Sequence, residues 1–194
     1  MPSDRPRQLW LLPVLLITVI ATAVGGLFAR TLYEDQETAA PPEVLPSQTA
    51  VPPDEQPGSR TVRGTRDAAT HPLYGTVHGL LQRYFDAIND RDYGAWQGTV
   101  TGERVERQPE QKWRRDYRTT KDGNIVIYRI ELGDQDSAVV LMRFTSTQRP
   151  EDAPQELPVG CIHWNVVFPL VLDDGEWRLA TGPASASPQH ERCA

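Results

Sequence analysis

The sequence predicts an α+β domain that is held outside the cytoplasm by a membrane helix and a disordered linker. Three observations support this prediction: an uncharged apolar run at residues 9–29, an amphipathic helix pattern at residues 77–88, and four strand-like runs after residue 123. Helices that precede a series of strands are typical of α+β folds rather than of alternating α/β folds.

The run at residues 9–29 has the length of a membrane-spanning helix. At about 1.5 Å per helical residue it would span roughly 30 Å, which matches the hydrocarbon core of a bilayer. Arg5 and Arg7 precede it and acidic residues dominate the following flank, so we expect residues 1–8 to be cytoplasmic. A cleaved signal peptide is the alternative, because Ala21-Thr22-Ala23 resembles a cleavage site. Both interpretations export the rest of the chain.

Residues 30–72 predict a disordered, proline-rich linker. Prolines stand there among Glu, Gln, Ser and Thr, and the segment has too little apolar surface to offset the entropy of ordering. The linker is either a spacer through a cell-wall layer or a connection without further role. The net charge of the whole chain is -6, which argues against a dedicated nucleic-acid binder.

Cys161 and Cys193, the two cysteines of the chain, predict a disulfide bond because both belong to the exported part. Closing a loop of about 33 residues would contribute roughly 3.5 kcal/mol in the chain-entropy model. Two free thiols or an intermolecular bridge are the alternatives. A catalytic thiol is disfavoured, since Cys193 is the penultimate residue and Cys161 opens a strand-like run.

The exported domain, residues 73–194, begins with an amphipathic helix. Its apolar residues recur at helical spacing, at Val77, Leu80, Leu81, Tyr84, Phe85 and Ile88. Residues 89–92 end this helix, and a short helical turn follows. Residues 109–118 predict a third helical piece, in which Pro109 suits a first position and Trp113 faces inward.

Four later runs have the alternation of β-strands, at residues 124–132, 137–147, 161–172 and 176–181. The residues that we expect on the inward faces of the first three are Val126, Tyr128, Ile130 and Leu132; Ala138, Val140, Met142 and Phe144; and Ile162, Trp164, Val166, Phe168, Leu170 and Leu172. Short turns and one longer loop connect the runs. They predict an antiparallel sheet with the long helix on its apolar face.

This element order resembles the nuclear-transport-factor-2-like superfamily, the cone-shaped fold of ketosteroid isomerase and polyketide-cyclase-like proteins. The segment Leu81-Gln82-Arg83-Tyr84-Phe85-Asp86-Ala87-Ile88-Asn89-Asp90-Arg91-Asp92 resembles its first helix and polar stop, and the architectural match covers residues 76–183. The resemblance implies a long curved sheet with a cavity between its concave face and the helices. We expect this cavity to be lined by Tyr84, Trp113, Tyr128, Met142, Trp164 and Phe168.

The resemblance to ketosteroid isomerase places Tyr84 at the position of the oxyanion-hole tyrosine, but it does not supply the isomerase's pair of aspartates. Gln108 falls where the base should be, with Glu106 or Glu110 nearby as a substitute. Phe168 falls at or next to the place of the acid. Proton transfer of the isomerase type is therefore disfavoured.

His163 is the histidine inside a predicted strand, and we expect it to face away from the apolar side of the sheet. If the sheet curved the other way, His163 would be the candidate acid or base. Asp86 lies opposite the apolar stripe of its helix and should be solvated. The sequence has no metal-site spacing, phosphate loop or serine-nucleophile motif, so we predict neither a metal nor a cofactor.

These observations favour a non-enzymatic, membrane-tethered domain outside the cytoplasm that binds an envelope protein or a small apolar ligand. The alternative is an isomerase, dehydratase or cyclase-like enzyme that uses Tyr84 with a carboxylate or His163. A third hypothesis is a homodimeric structural module, because sheets of the resembling fold often pair. The expected lipid contact is residues 9–29, and the loop at residues 148–160 is either a binding edge or a solvated loop.

Overall fold

The structure, a computed structural model, describes residues 52, 55–134, 136–182 and 188–193. Its helices are α1 (Arg66–Ala69), α2 (Tyr74–Asp90), α3 (Tyr93–Gln97), α4 (Gly102–Arg107) and α5 (Glu110–Asp116). Its strands are β1 (Arg63–Gly64), β2 (Lys121–Leu132), β3 (Ser137–Thr147), β4 (Cys161–Asp173), β5 (Glu176–Leu179) and β6 (Gln189–Arg192). The few helices and the curved, unclosed sheet confirm the predicted α+β class.

The predicted membrane helix at residues 9–29 and the tail at residues 1–8 lie outside the described residues. Within the part of the chain that the structure describes, no helix is long and apolar enough to cross a membrane. The chain over Val51–Ala194 forms a compact unit. This unit contains its own cluster of buried hydrophobic residues, as a domain requires.

The sheet has the strand order β1-β2-β3-β4-β5, and β6 also pairs with β4. β1 runs parallel to β2, whereas the other pairs are antiparallel. β5 pairs with the end of β4, from Leu170 onward, while β6 pairs with its beginning, at Ile162 to Asn165. The long strand β4 therefore holds two short strands along the same edge.

Helix α2 covers the sheet with the face that its sequence pattern predicts. The predicted apolar positions are all buried, with exposed fractions of 0 to 3% at Val77, Leu80, Leu81, Tyr84, Phe85 and Ile88. The helix ends where Arg91 adopts a left-handed conformation, with φ of 60°. Asp92 then caps α3 by accepting a hydrogen bond from the Ala95 amide at 2.9 Å.

Strand β2 departs from the predicted alternation because it contains two register shifts. Gly123 pairs with Thr145 and Val126 with Arg143, so two residues of β2 lie opposite one residue of β3. A second shift follows Ile127 and leaves Tyr128 as the extra residue. Each such bulge moves the later side chains to the other face. Ile125, Ile127 and Ile130 therefore face the core cluster, and Val126 is also buried, with 5% exposure. Leu132, predicted to face inward, is 64% exposed.

Strands β3 and β4 keep a regular register over their whole pairing, from Thr147 opposite Cys161 to Ser137 opposite Val171. Their predicted inward residues are accordingly buried at Ala138, Val140, Met142, Ile162, Val166 and Leu170. The predicted disulfide bond between Cys161 and Cys193 is present, with its Cα atoms 5.4 Å apart. It joins the start of β4 to the residue that follows β6.

The folded unit begins earlier than the boundary predicted between residues 72 and 73. Val62 and Ala68 are each 1% exposed, and β1 pairs with β2. Gln82 of α2 accepts a hydrogen bond from the Val62 amide at 2.9 Å, and His78 donates a hydrogen bond to the Val62 carbonyl oxygen at 2.9 Å. Residues 60–72 thus belong to the folded unit and not to the predicted linker, because the apolar side chains of Val62 and Ala68 are buried in the core.

Candidate functional site

A cavity of about 440 Å³ lies between the helices and the concave face of the sheet. The apolar and aromatic part of its wall is formed by Phe85, Ile88, Phe144, Trp164, Val166 and Phe168. Polar side chains interrupt this wall, among them Tyr84, Arg104, Tyr117 and Asp122. The other polar residues of the lining are Gln108, Asp116, Thr120, Ser146, Gln148 and Asp152. A concave cavity that combines apolar walls with polar groups is the usual form of a small-molecule site.

Of the residues predicted to line the cavity, Tyr84, Trp164 and Phe168 do so. Trp164 donates a hydrogen bond from its indole Nε1 to Ser146 Oγ at 2.8 Å. Its ring stacks on that of Phe144, with the ring centroids 6.0 Å apart. The regular register of β3 and β4 places these side chains on the cavity side, because an unbroken alternation keeps them on one face.

Trp113, Tyr128 and Met142 were also predicted to line the cavity and lie elsewhere. Trp113 is fully buried in an aromatic cluster with Tyr93 and Trp96, whose ring centroids are 5.5 and 5.7 Å away. Met142 is 2% exposed within the core. Tyr128 is the extra residue of the second bulge, and its ring packs under the Arg143 guanidinium at 5.6 Å.

Tyr84 projects from α2 into the cavity and is 3% exposed. Arg104 donates a hydrogen bond from Nη2 to the Tyr84 hydroxyl at 2.9 Å. The Arg104 guanidinium lies 5.3 Å from the centroid of the Tyr84 ring and 5.9 Å from that of Phe168. Two aromatic faces and one hydroxyl therefore hold this cation at the cavity wall.

Tyr117 follows α5 and adds a second phenol to the same wall. Burial raises the pKa of Tyr117 well above its ordinary value, and the neighbouring Tyr84 hydroxyl raises it further. The Arg104 guanidinium lowers that pKa and Asp122 raises it, so Tyr84, Arg104 and Asp122 all act on Tyr117. Tyr117 is thus a neutral hydroxyl at physiological pH and can donate a hydrogen bond.

Asp122 is a buried carboxylic acid at the start of β2, where its side chain is 3% exposed. Burial raises the pKa of Asp122 to about 7, against an opposing effect of the Arg91 guanidinium. Its Oδ1 atom is buried without a hydrogen-bond partner among the described residues. A buried carboxyl group that has one oxygen without a partner and a neutral-range pKa inside a cavity is an arrangement that favours ligand binding or proton transfer.

The sequence interpretation did not identify Asp122. The residue stands just before the predicted strand, beside Gly123 and Asn124, where acidic and small residues are typical of a turn. The strand in fact begins at Lys121. The available signal was Asn89, a polar residue one turn after the inward-facing Phe85 on α2, which could have indicated a buried polar partner.

His163 lies on the face of β4 away from the cavity, as expected from its position beside Trp164. Its Nδ1 atom is 2.9 Å from Thr145 Oγ1, and it pairs in register with Glu191 of β6. The alternative, in which His163 lines the cavity, is wrong, because β4 keeps an unbroken alternation there. It is therefore not in position to act on a molecule in the cavity.

Gln108, which falls at the position of the isomerase's base, lines the cavity, while the predicted substitute bases Glu106 and Glu110 are exposed outside it. Gln108 donates from Nε2 to Asp116 Oδ2 at 3.4 Å. Asp86 is on the outer side of α2, where Arg60 lies 3.4 Å from it. Over residues 55–134, 136–182 and 188–193, no group of three or more His, Cys, Asp or Glu side chains is arranged to hold a metal ion.

The loop between β3 and β4 forms one rim of the cavity through Asp152, Ala153 and Pro154. Asp152 accepts hydrogen bonds from Arg118, from Thr119 Oγ1 at 2.7 Å and from Arg149 Nη2 at 3.2 Å. Chiefly through the Arg118 hydrogen bond, these donors hold the pKa of Asp152 well below its usual range. The carboxylate thus fastens the loop to the segment after α5.

No protein-family model matches the sequence, and no curated protein matches it. Among solved structures, the chain is similar to a ketosteroid isomerase-like protein from Erwinia carotovora atroseptica SCRI1043, at a TM-score of 0.40 and 16% sequence identity. The alignment covers 64% of this chain and 98% of the other chain.

Proposed function

We propose that the protein is a membrane-tethered binding domain that takes up a small, largely apolar molecule outside the cytoplasm. The cavity is the observation that carries this proposal, because it combines about 440 Å³ of space with aromatic walls and with polar groups. Ligand sites of proteins typically have volumes of about 300–1,000 Å³ and this mixture of surfaces.

The arrangement of the polar groups supports binding in one orientation. Arg104 donates to the Tyr84 hydroxyl, and Tyr84, Arg104 and Asp122 all act on Tyr117, so these four residues form one polar cluster. Phe144, Trp164 and Phe168 supply apolar wall. A ligand with an apolar body and one polar end can satisfy both. An entirely polar ligand would leave the aromatic wall without matching contacts, and an entirely apolar one would leave the buried cluster unsatisfied.

The place of binding rests on the sequence of the N-terminal part and on the disulfide bond. Residues 9–29 have the length and composition of a membrane span, and part of the proline-rich segment would tether the domain to it. The Cys161–Cys193 bond is the kind of crosslink that persists in oxidising compartments. Both observations favour a domain outside the cytoplasm.

Calorimetric titration of the full chain in lipid nanodiscs with 1-naphthylacetamide tests this function, with empty nanodiscs as baseline. This neutral two-ring molecule should bind. Val166→Phe, which fills part of the cavity from β4, should weaken binding at least tenfold. Val167→Phe is the matched control, because Val167 is 52% exposed on the opposite face of the same strand. Absence of binding, or equal binding by the Val166 variant and wild type, contradicts the proposal.

A second candidate function is acid–base catalysis, which the unpaired, buried carboxyl of Asp122 specifically favours. Ionised Asp122 would take a proton from a carbon next to an electron-withdrawing group, and Tyr84 and Arg104 would stabilise the negative charge that develops on the substrate oxygen. This assignment retains the predicted role of Tyr84 and replaces the predicted substitute bases with Asp122.

The chromogenic probe 5-nitrobenzisoxazole tests this second candidate. A base removes its ring proton, the N–O bond breaks, and the coloured cyano-nitrophenolate is released. The rate with wild type should rise with pH around an apparent pKa near 7, as Asp122 ionises, and Asp122→Asn should lower it more than tenfold. Asp86→Asn, on the outer side of α2, is the control. Equal rates for wild type and Asp122→Asn exclude Asp122 as a base.

A further inference from the structure

We propose that the ligand of this cavity carries a single anionic oxygen group, of the carboxylate class, on an aromatic or alicyclic body, and that Arg104 binds this group. This inference rests on the proposed function, because it names the chemical class that the cavity would bind. It starts from the ion pairs of the helices that surround the cavity.

Arg104 differs from the basic residues near it on α4 and α5. Arg107 pairs with Glu103 at 2.9 Å, Lys112 with Asp116 at 2.9 Å and Arg114 with Glu110 at 2.7 Å. These three pairs lie on the exposed surface. Arg104 lines the cavity and, among the described residues, forms no ion pair with a carboxylate.

The contacts of Arg104 hold its guanidinium in place and leave donors available. One Nη atom donates to the Tyr84 hydroxyl at 2.9 Å, and the planar group stacks near the rings of Tyr84 and Phe168. A guanidinium has several N–H donors in one plane, and its fork matches the two oxygens of a carboxylate. Because the rings already fix its orientation, little further ordering is needed for binding.

The acidic groups of the cavity wall do not compensate Arg104. Asp116 is paired with Lys112, and Asp152 accepts hydrogen bonds from Arg118, Thr119 and Arg149. Asp122, for which burial favours the protonated form, can present an O–H donor to a ligand oxygen. Below pH 7, where Asp122 is mainly protonated, the wall therefore offers one uncompensated positive charge, which fits one negative charge on the ligand.

The rest of the wall determines the body to which this anionic group is attached. Phe144, Trp164 and Phe168 are aromatic, and Phe85, Ile88 and Val166 complete the apolar surface. Flat or ring-shaped apolar groups make favourable contacts with such a wall. Sugars and highly charged phosphates would leave it unmatched, so a monocarboxylate with a ring body is the class that fits both parts of the cavity.

The test compares 1-naphthylacetate with 1-naphthylacetamide, which have the same body and differ in charge. The full chain in nanodiscs is titrated with each molecule, and we expect the carboxylate to bind about tenfold more tightly or better. Arg104→Gln should remove this preference, because it should weaken binding of the carboxylate much more than binding of the amide. Arg107→Gln, at the exposed pair with Glu103, should retain the preference.

The outcomes separate this inference from the proposed function. If the amide binds wild type and the carboxylate binds no better, the inference is overturned while the binding function stands. If neither molecule binds, both fail. Arg104→Lys keeps the charge without the fork and should retain part of the preference. Should Arg104→Gln fail to fold, as judged by circular dichroism, equal affinities of wild type for the two probes still contradict the inference.

Discussion

Asn89 and Asp122 are joined by two hydrogen bonds that run from the side chain of one residue to the main chain of the other. Asn89 Oδ1 accepts from the Asp122 amide at 2.7 Å, and Asn89 Nδ2 donates to the Asp122 carbonyl oxygen at 3.0 Å. Asn89 is 1% exposed. The end of α2 thus positions the start of β2, and with it the carboxyl group in the cavity.

We expect Asn89→Ala to lower the free energy of unfolding by about 2–4 kcal/mol. The substitution leaves the buried N–H and C=O of Asp122 without their partners, and an unsatisfied buried polar group costs about 1–3 kcal/mol. Urea denaturation followed by tryptophan fluorescence measures the change. Asn165→Ala is the control, because Asn165 is exposed on β4 and its loss should change stability by less than about 0.5 kcal/mol. Equal effects of the two substitutions would contradict a structural role for Asn89.

Asp122→Asn should stabilise the protein strongly at pH 8 and to a much smaller extent at pH 5. Burial raises the pKa of Asp122 from 3.8 to about 7, with Arg91 opposing and the neutral Tyr117 hydroxyl nearby. The folded state therefore binds a proton that the unfolded state releases between these values, so the stability of wild type falls as pH rises from about 4 to 7. Above pH 7 this loss of stability is complete. It amounts to about 4 kcal/mol, because each unit of pKa shift corresponds to about 1.4 kcal/mol.

Urea denaturation of wild type and Asp122→Asn at both pH values measures this effect. The difference between the two proteins isolates Asp122 from other titrating groups. Asp86→Asn, at an exposed ion pair with Arg60, should show no such pH-dependent gain. A difference that is the same at pH 5 and pH 8 would show that Asp122 titrates normally.

Asp152→Asn should loosen the β3–β4 loop at the cavity rim. Asp152 is the common acceptor for Arg118, Thr119 and Arg149, and its side chain is 3% exposed. Hydrogen exchange measured by mass spectrometry should show faster exchange in residues 148–160, with β3 unchanged. Glu151→Gln is the control, since Glu151 is exposed and forms an ion pair with Arg149 at 3.3 Å.

The hydrogen bonds that Asp152 accepts should persist in mild acid. Because the pKa of Asp152 is held below its usual range, its contribution is present above the ordinary carboxyl pKa and is lost only as pH falls through the lower folded value. After correction for intrinsic rates, the exchange of this loop in wild type should not increase between pH 7 and 5. An increase over that range would indicate that Asp152 does not hold the loop.

The sequence predicted the parts of the fold in which the local period is unbroken. The six apolar positions of α2 are all buried, and β3 and β4 place Trp164 and Phe168 on the cavity side, because neither the helix nor this strand pair contains an irregularity. β2 contains two bulges, so its alternation predicted Tyr128 on the wrong face. β1 and β6, of two and four residues, are too short to show a period.

Within the polar cluster, the sequence predicted the position of Tyr84 but not the positions of Asp122 and Arg104. Tyr84 lies within the apolar stripe of α2, so its inward direction follows from helical spacing. Asp122 becomes buried because Asn89, 33 residues earlier, binds its main chain. Arg104 reaches the cavity by stacking on Tyr84 and Phe168, which come from two other elements. Contacts between distant segments of this kind leave no periodic signal in the sequence.

Replacing both cysteines, as Cys161→Ser with Cys193→Ser, should lower the free energy of unfolding by about 3–4 kcal/mol. The bond closes a loop with a sequence separation of 32, and the chain-entropy model gives this magnitude for such a loop. The local consequence should be fraying of β6, which has only four residues and pairs with β4 alone. Urea denaturation measures the first effect, and hydrogen exchange of residues 189–192 measures the second.

Fraying of β6 should also weaken ligand binding, because Pro188 lines the cavity and the His190 ring packs on Trp164 at 5.0 Å. We expect the double variant to bind 1-naphthylacetate less tightly than wild type. Reducing agent should weaken binding of 1-naphthylacetate to wild type in the same way. Binding to the double variant should not change on reduction, and this variant is the control for unspecific effects of the reducing agent. Unchanged affinity after reduction, with the loss of the bond confirmed by mass, would show that the cavity forms without β6. A loss of affinity would instead tie binding to an oxidising compartment, where this bond persists.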